Sequence, residues 1–380
     1  MQNKVVVRLL AIFTLTTTVA VSPKEIFGQL SDTSAWAAGM ANQYRITPNV
    51  TYLTANNWEA KLDVYQPQNT KEPTPVLMYI HGGGWVGGDK NATLMQLMPY
   101  FEMGWAVVNV EYRLGRVSLA PAAVEDCRCA LRWVISKAKD YNFDINKIVV
   151  TGHSAGGHLS LTTGMLPASA GLDRQCPGNN EELKVAAIVN WYGITDVGDL
   201  LDGPNMKTYA VTWMGSMTNR DEIAKRVSPL SYVRPGLPPI LTIHGDADPT
   251  VPYAHAVRLH EALNKAGVSN QLLTIPGGKH GGFSQTETMK IYTTIQEFLT
   301  KHNLLRQDIK VSAGTTQKLR YRASQAFFHR RFQMKKPRRI YWLNSSWPSE
   351  LPAPFLFSLP VKRLERGRAG VSIRLDSRLR

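Results

Sequence analysis

Lys147-Ile148-Val149-Val150-Thr151-Gly152-His153-Ser154-Ala155-Gly156-Gly157-His158 joins an apolar, β-branched run to a glycine-rich turn, and a helix-compatible stretch follows over residues 159–166. Strand, sharp turn and helix in that order around G-x-S-x-G form the pattern of a nucleophile elbow. A serine hydroxyl is a weak nucleophile at neutral pH. It must stand clear of the backbone, close to a base and to donors that meet developing negative charge. Gly152 and Gly156 suit that need, because a helix leaving Ser154 can pass close to the strand entering it only where Cβ atoms are absent. The plain alternative is a serine in an ordinary turn, so the weight falls on whether the rest of the chain supplies partners.

Upstream, residues 50–53 and 60–65 alternate apolar and polar side chains on either side of Asn56-Asn57, the pattern of an antiparallel pair. Residues 75–80 are almost continuously apolar, as expected of a strand covered on both faces. A helix is expected over 92–102, a strand over 105–110, and a helix over 121–138 with Pro121 near its start. Beyond the elbow, strands are expected over 185–191, 240–243 and 271–275, with helices over 253–266 and 286–302. Strands alternating with helices imply parallel pairing and right-handed crossovers. The expected fold is therefore α/β, an open and mostly parallel sheet with helices on both faces. Residues 172–238 interrupt this rhythm with Gly, Pro, Asn and Asp and with interspersed Trp191, Tyr192, Tyr209 and Trp213, so a cap or pocket wall is expected there.

The chain carries a formal net charge of +15, which would suggest a polyanionic partner if it were spread evenly. It is not: residues 306–380 hold 18 Lys and Arg against 4 Asp and Glu, leaving 26 against 25 in residues 1–305. The catalytic candidate region gives no electrostatic reason to expect nucleic acid, and 306–380 reads as a basic, disordered tail. Residues 1–30 open with Lys4 and Arg8, continue through a short apolar run and turn polar, which reads as a signal peptide. No other run approaches the length of a membrane span, so the expected location is secreted or periplasmic, with a domain over 31–305. Cys127 and Cys129 are too close in sequence to bridge each other easily. The choice is between buried thiols and a single bridge from Cys176 to one of them. No zinc-like ligand spacing is present, and no metal site is expected.

Ser154 needs a base, and the base needs an acid that holds its tautomer. Binding and catalytic groups of such sheets gather at the carboxyl ends of strands. There lie His244-Gly245-Asp246-Ala247-Asp248-Pro249-Thr250-Val251-Pro252 and, after the last strand, Pro276-Gly277-Gly278-Lys279-His280-Gly281-Gly282-Phe283. Asp248 is the candidate acid and Asp246 the turn former; His280 is the candidate base. His255, His260 and His302 fall in helical patterns as surface or packing residues, and His153 and His158 sit too close to Ser154 in sequence to serve it. His81-Gly82-Gly83-Gly84-Trp85 follows the strand at 75–80. A run without side chains can aim successive N–H groups at one small anion, so Gly83, Gly84 and Ala155 are the candidate oxyanion hole, with His81 structural within its loop. Trp85, Trp191 and Tyr192 are the candidate pocket residues.

HGGGW at 81–85, GHSAGGH at 152–158, HGDADPTVP at 244–252 and GGKHGGF around His280 together resemble the α/β-hydrolase superfamily, and within it the hormone-sensitive-lipase-like carboxylesterases and secreted bacterial esterases of the acetylxylan and feruloyl kind. The resemblance spans about residues 45–303 and excludes the basic tail. It implies hydrolysis of carboxylic esters through an acyl-enzyme, with Ser154 as nucleophile, His280 as base then acid, Asp248 as its orienting partner, and neither metal nor organic cofactor. The implied partner is a small-molecule or polysaccharide-linked ester carrying short-chain or aromatic acyl groups. The stretch before Ile46 is shorter than the N-terminal cap of many lipase-like relatives, which implies a more open pocket. Two other readings use the same residues: a prolyl-oligopeptidase-like peptidase, which would be expected to carry a propeller domain, and a non-catalytic binding protein on the same scaffold.

Overall fold

A computed structural model describes residues 32–178 and 183–305; the expected signal segment 1–30 and basic tail 306–380 lie outside the described residues. Strands β1 (Tyr44–Ala55) and β2 (Trp58–Pro67) form the opening hairpin. Asn56 and Asn57 turn it with φ of 53° and 60°, the left-handed pair that a two-residue hairpin loop needs and that asparagine tolerates best after glycine. Then come β3 (Thr74–Ile80), β4 (Ala106–Val110), β5 (Phe143–His153), β6 (Ala187–Trp191), β7 (Ile240–Gly245) and β8 (Asn270–Ile275). They build one eight-stranded sheet in the order β1-β2-β4-β3-β5-β6-β7-β8. Pairing is antiparallel from β1 to β4 and parallel from there to β8.

Among the described residues, nine α-helices flank the sheet: α1 (Asp32–Gln43), α2 (Leu94–Glu102), α3 (Ala122–Ser136), α4 (Ala138–Tyr141), α5 (Ala155–Met165), α6 (Thr208–Met214), α7 (Arg220–Arg226), α8 (Ala254–Lys265) and α9 (Gln285–Lys301). The period of two along β3 sends Val76, Met78 and Ile80 to one core with Leu159 of α5 and Val134 of α3, and Leu77 and Tyr79 to the other with Ile295 and Phe298 of α9. That two-sided burial explains why the strand reads as an unbroken apolar run. The helix expected at 92–102 begins later, at Leu94, behind a 3-10 turn that Asp89 caps through its carboxylate. The helix expected at 121–138 breaks at Lys137 into α3 and α4. Helices α1, α6 and α7 were not expected. The first is rich in Ala with a weak apolar stripe, and the other two have seven residues each, too few to show a period. Among the described residues, no helix is long and apolar enough to cross a membrane.

Of the cysteine alternatives, the structure takes the single bridge, Cys129–Cys176, and leaves Cys127 buried and free. The bridge ties α3 to the segment after α5 across 47 positions. Asp173 reinforces the same seam by accepting from Arg128 at 2.9 Å and Arg132 at 3.1 Å, all three buried. Closing a loop of that length removes chain entropy from the unfolded state worth about 4 kcal/mol. Cys176→Ser is therefore expected to lower the melting temperature by several degrees, and reductant is expected to do the same to the parent; equal melting curves with and without the bridge would refute this.

Candidate active site

Strand β5 ends at His153 and α5 begins at Ala155, so the reversal between them falls on Ser154, which is held at φ 59° and ψ −119°. An L-residue avoids such angles unless its surroundings over-determine them. Here they do: a Cβ on Gly152 or Gly156 would run into the carbonyl oxygen of Ile80, so both must be glycine for the elbow to close against β3. The serine hydroxyl is thereby lifted out of the sheet's edge.

The loops after β7 and β8 supply its neighbours. His280 Nε2 lies 2.8 Å from Ser154 Oγ, and His280 Nδ1 lies 2.7 Å from Asp248 Oδ2. Residues 94 and 126 positions downstream of Ser154 thus converge on it, and Asp246 does not: its Oδ1 accepts the Gly277 N–H at 2.6 Å and shapes the turn. Asp248 Oδ1 accepts from the N–H groups of Thr250, at 2.7 Å, and Val251, at 3.0 Å. A second histidine completes the cradle. His244 Nε2, fully buried, lies 3.2 Å from Asp248 Oδ2 and 3.1 Å from the Val251 carbonyl. Burial by itself would push the Asp248 carboxyl up, but hydrogen bonds from His244, His280 and the Val251 N–H outweigh it and hold the group well below the usual carboxylate range. Asp248 is accordingly a fixed negative charge at any ordinary pH. The sequence offered His244 only as the first letter of its motif; without knowing that the turn at 248–251 folds back under β7, nothing marked it as a partner of Asp248.

Across the cavity, Gly83 at φ 121° and Gly84 at φ 59° carry the chain after β3 past the elbow. Among the described residues, the N–H groups of Gly83, Gly84 and Ala155 donate to no acceptor, the state expected of donors kept for a ligand. His81 turns its Nδ1 to the Gly82 carbonyl at 2.7 Å and stacks on Tyr112, supporting the loop from within.

The pocket expectations need correcting in two places out of three. Trp85 is fully buried: its own φ of 61°, after that of Gly84, turns the side chain down into the core, where it stacks on Trp213 at 4.2 Å and donates from Nε1 to His158 Nδ1 at 3.1 Å. Trp191 sits behind His153, its ring stacked on the imidazole at 4.5 Å, and lines no part of the cavity. Tyr192 does line it. The cavity, about 440 Å³, contains Ser154, His280 and glycines 82–84, and its walls are His153, Tyr192, Tyr209 and Thr250. Tyr209 comes from α6, within the stretch expected as a cap or wall. Its hydroxyl donates to the Thr250 carbonyl at 3.2 Å, while Lys207 Nζ reaches the Pro249 carbonyl at 3.0 Å. A larger hollow of about 600 Å³ lies at the opposite ends of the strands, beside Lys71, Trp105 and Leu305, and its lining offers no nucleophile with a base. Among the described residues, no group of three or more His, Cys, Asp or Glu side chains could hold a metal ion.

His158, one turn into α5, links the glycine loop to the insert: it takes the Trp85 N–H on Nδ1 and donates from Nε2 to the Val227 carbonyl at 2.7 Å. Burial lowers its pKa to about 4, and burial likewise lowers that of His255 to about 4. Both histidines are neutral in the fold, whereas unfolded they would protonate near 6.5. The unfolded chain therefore takes up more protons between those values, so stability is complete above about 6.5 and is lost as pH falls toward 4, with each histidine contributing a slope of up to about 1.4 kcal/mol per pH unit. Melting temperature followed from pH 7 to 4 is expected to drop progressively through that window; a flat profile would contradict the burial argument.

The BD-FAE family model matches residues 62–263, more than half of the chain. Esterase LipQ of Mycobacterium tuberculosis is 28% identical over 236 residues, covering 59% of this chain and 55% of LipQ, so the chain spans about half the length of that relative. Ethyl acetate hydrolase of Pseudomonas putida is 27% identical, covering 69% of this chain and 83% of its own. Among solved structures, Thermogutta terrifontis esterase 2 phosphorylated by paraoxon superposes with a TM-score of 0.58 at 27% identity, covering 69% of this chain and 95% of that one. These are esterases, in keeping with the resemblance to hormone-sensitive-lipase-like carboxylesterases. Taken with the strand order and the elbow, they place the chain in the BD-FAE family, on the α/β-hydrolase fold.

Proposed function

We propose that the protein is a serine carboxylic ester hydrolase that works through an acyl-enzyme on short-chain or aromatic esters, with acetyl and feruloyl groups on polysaccharide as the natural candidates. The observation that carries this reading is the continuous line from Asp248 through His280 to Ser154, with gaps of 2.7 and 2.8 Å, at the edge of a cavity whose opposite wall presents unpaired N–H groups. Asp248 accepts a hydrogen bond from the Nδ1–H of His280, which keeps the proton on that nitrogen and leaves Nε2 with a lone pair directed at Ser154 Oγ. That nitrogen takes the hydroxyl proton as Oγ attacks the ester carbonyl. The carbonyl oxygen gains the negative charge, and the N–H groups of Gly83, Gly84 and Ala155 are placed to receive it. His280 then gives its proton to the departing alcohol oxygen, leaving the acyl group on Ser154. Water, deprotonated by the same nitrogen, releases the acid and restores the hydroxyl.

Secretion or a periplasmic location belongs to the same reading, supported by the Cys129–Cys176 bridge, which persists in oxidising compartments. The acyl preference rests on cavity size: 440 Å³ with Tyr209 across from the glycine loop accommodates a short or planar acyl group better than a long chain. Turnover of p-nitrophenyl esters of increasing chain length, beside methyl ferulate and acetylated xylan, tests it directly. Rates are expected to peak at roughly two to four acyl carbons, the length that a cavity of about 440 Å³ takes in beside the alcohol; highest kcat/KM on long-chain esters would overturn the acyl assignment.

A further inference from the structure

His153 and Tyr192 have no part in the proton relay, yet both line the cavity, and each keeps a polar atom without a partner. His153 Nδ1 lies 2.9 Å from the hydroxyl of Tyr79, which has no other partner among the described residues. If Nδ1 carried the proton, the buried phenol hydrogen of Tyr79 would have no acceptor, at the cost of an unmade hydrogen bond. Tyr79 therefore donates, Nδ1 accepts, and the proton of the neutral ring sits on Nε2. Burial first, and then the neighbouring His280, lower the His153 pKa to about 3, so the ring stays neutral. Nε2 has no partner among the described residues and is not closed off from solvent. The same holds for the Tyr192 hydroxyl, which remains protonated because burial raises its pKa.

The two groups stand on an identifiable side of the reaction. Tyr192 packs against the imidazole of His280 with ring centres 4.6 Å apart, and His153 packs edge-on against Tyr192 at 5.6 Å. His280 must reach the departing oxygen with its proton, so the wall built around its ring borders the alcohol half of the ester. Half-buried Phe283, 6.1 Å from Tyr192, extends the wall with an apolar face.

We infer that His153 and Tyr192 determine specificity for the alcohol part of the substrate, and that this part is a hydroxylated one such as a sugar, whose oxygens accept from the Nε2–H of His153 and the O–H of Tyr192 while its C–H face lies toward Phe283. The inference rests on the ester hydrolase reading and adds to it which side chains read the alcohol. A hydrocarbon or plain aryl alcohol leaves both donors stripped of water and unpaired, and sites built that way discriminate against analogues that cannot pair with them.

The experiment compares kcat/KM of the full chain on methyl xyloside monoacetates with that on phenyl acetate, whose alcohol offers no further oxygen. His153→Phe keeps a ring against Trp191 but removes the donor, and Tyr192→Phe removes only a hydroxyl. Each is expected to lower the ratio of sugar ester to phenyl ester by roughly tenfold, the size of one lost hydrogen bond to substrate. His153→Gln, which retains an N–H near the position of Nε2, should lower it less than His153→Phe, and it guards against a phenylalanine that disturbs the elbow. Ratios unchanged in Tyr192→Phe and His153→Phe, or equal losses on both esters, overturn the inference. A parent protein that cleaves phenyl acetate but not the sugar acetates also overturns it while leaving ester hydrolysis intact; cleavage of neither ester removes the hydrolase reading itself.

Discussion

Ser154→Ala is expected to cut kcat on phenyl acetate by roughly 10⁴- to 10⁶-fold while the protein still folds, because the proposed acyl-enzyme forms on this hydroxyl and its removal leaves only donors and binding. The side chain contributes nothing to the core: its Oγ faces the cavity and, among the described residues, hydrogen-bonds to His280 Nε2 at 2.8 Å. Alanine at the same φ of 59° meets the same backbone strain as serine, so melting temperature should stay near that of the parent. A second readout separates acyl transfer from other chemistry. Paraoxon phosphorylates the solved Thermogutta relative, and this protein, if Ser154 is the nucleophile, should gain one diethylphosphoryl mass that the alanine variant does not gain. Retained turnover in Ser154→Ala, or equal labelling of both, would remove the acyl-enzyme.

The second large effect belongs to Asp248. In Asp248→Asn the two N–H donors of Thr250 and Val251 still find an oxygen, but the amide nitrogen must then occupy the place of Oδ2. There it faces His280 Nδ1 at 2.7 Å and His244 Nε2 at 3.2 Å. A donor facing Nδ1 forces the proton of His280 onto Nε2, where it can no longer receive the serine hydrogen. The expected loss in kcat is about 10⁴-fold, the size of a wrong tautomer, with KM little changed. The variant should also be less stable, since the carboxylate favours the fold wherever it is ionised in both states; that contribution is complete above about 4 and is lost only as pH falls further, through its lowered folded value. A drop in kcat of tenfold or less would mean that Asp248 does not set the tautomer of His280.

Much of the sheet was legible because its strands are covered on both faces: the run 75–80 is almost continuously apolar, 240–243 is broken only by Thr242, and the glycine punctuation after them marks where the loops of the site begin. The convergence of residues 154, 248 and 280 was legible from the elbow motif, the order of serine, acid and histidine along the chain, and the strand ends on which they fall. What failed was side-chain direction. Trp85 adjoins the glycines in sequence, and only the left-handed turn at 84–85 reveals that it points away from them. Trp191 closes β6 and Tyr192 is the first residue beyond it, at φ 39°, and that left-handed step separates them into backing and wall. Tyr209 was noticed only as one aromatic among several, since its helix is too short to announce a face.

Both tethers of α6 end on main-chain oxygens, those of Pro249 and Thr250, and neither depends on which side chains the acid loop carries. Such an attachment survives change in the loop's own sequence, so the segment bearing Tyr209 has the character of a replaceable part. Drift, or a deliberate graft within residues 208–214 that keeps the tethering Lys207 and Tyr209, is expected to reshape the entrance and leave the line from Asp248 through His280 to Ser154 in place.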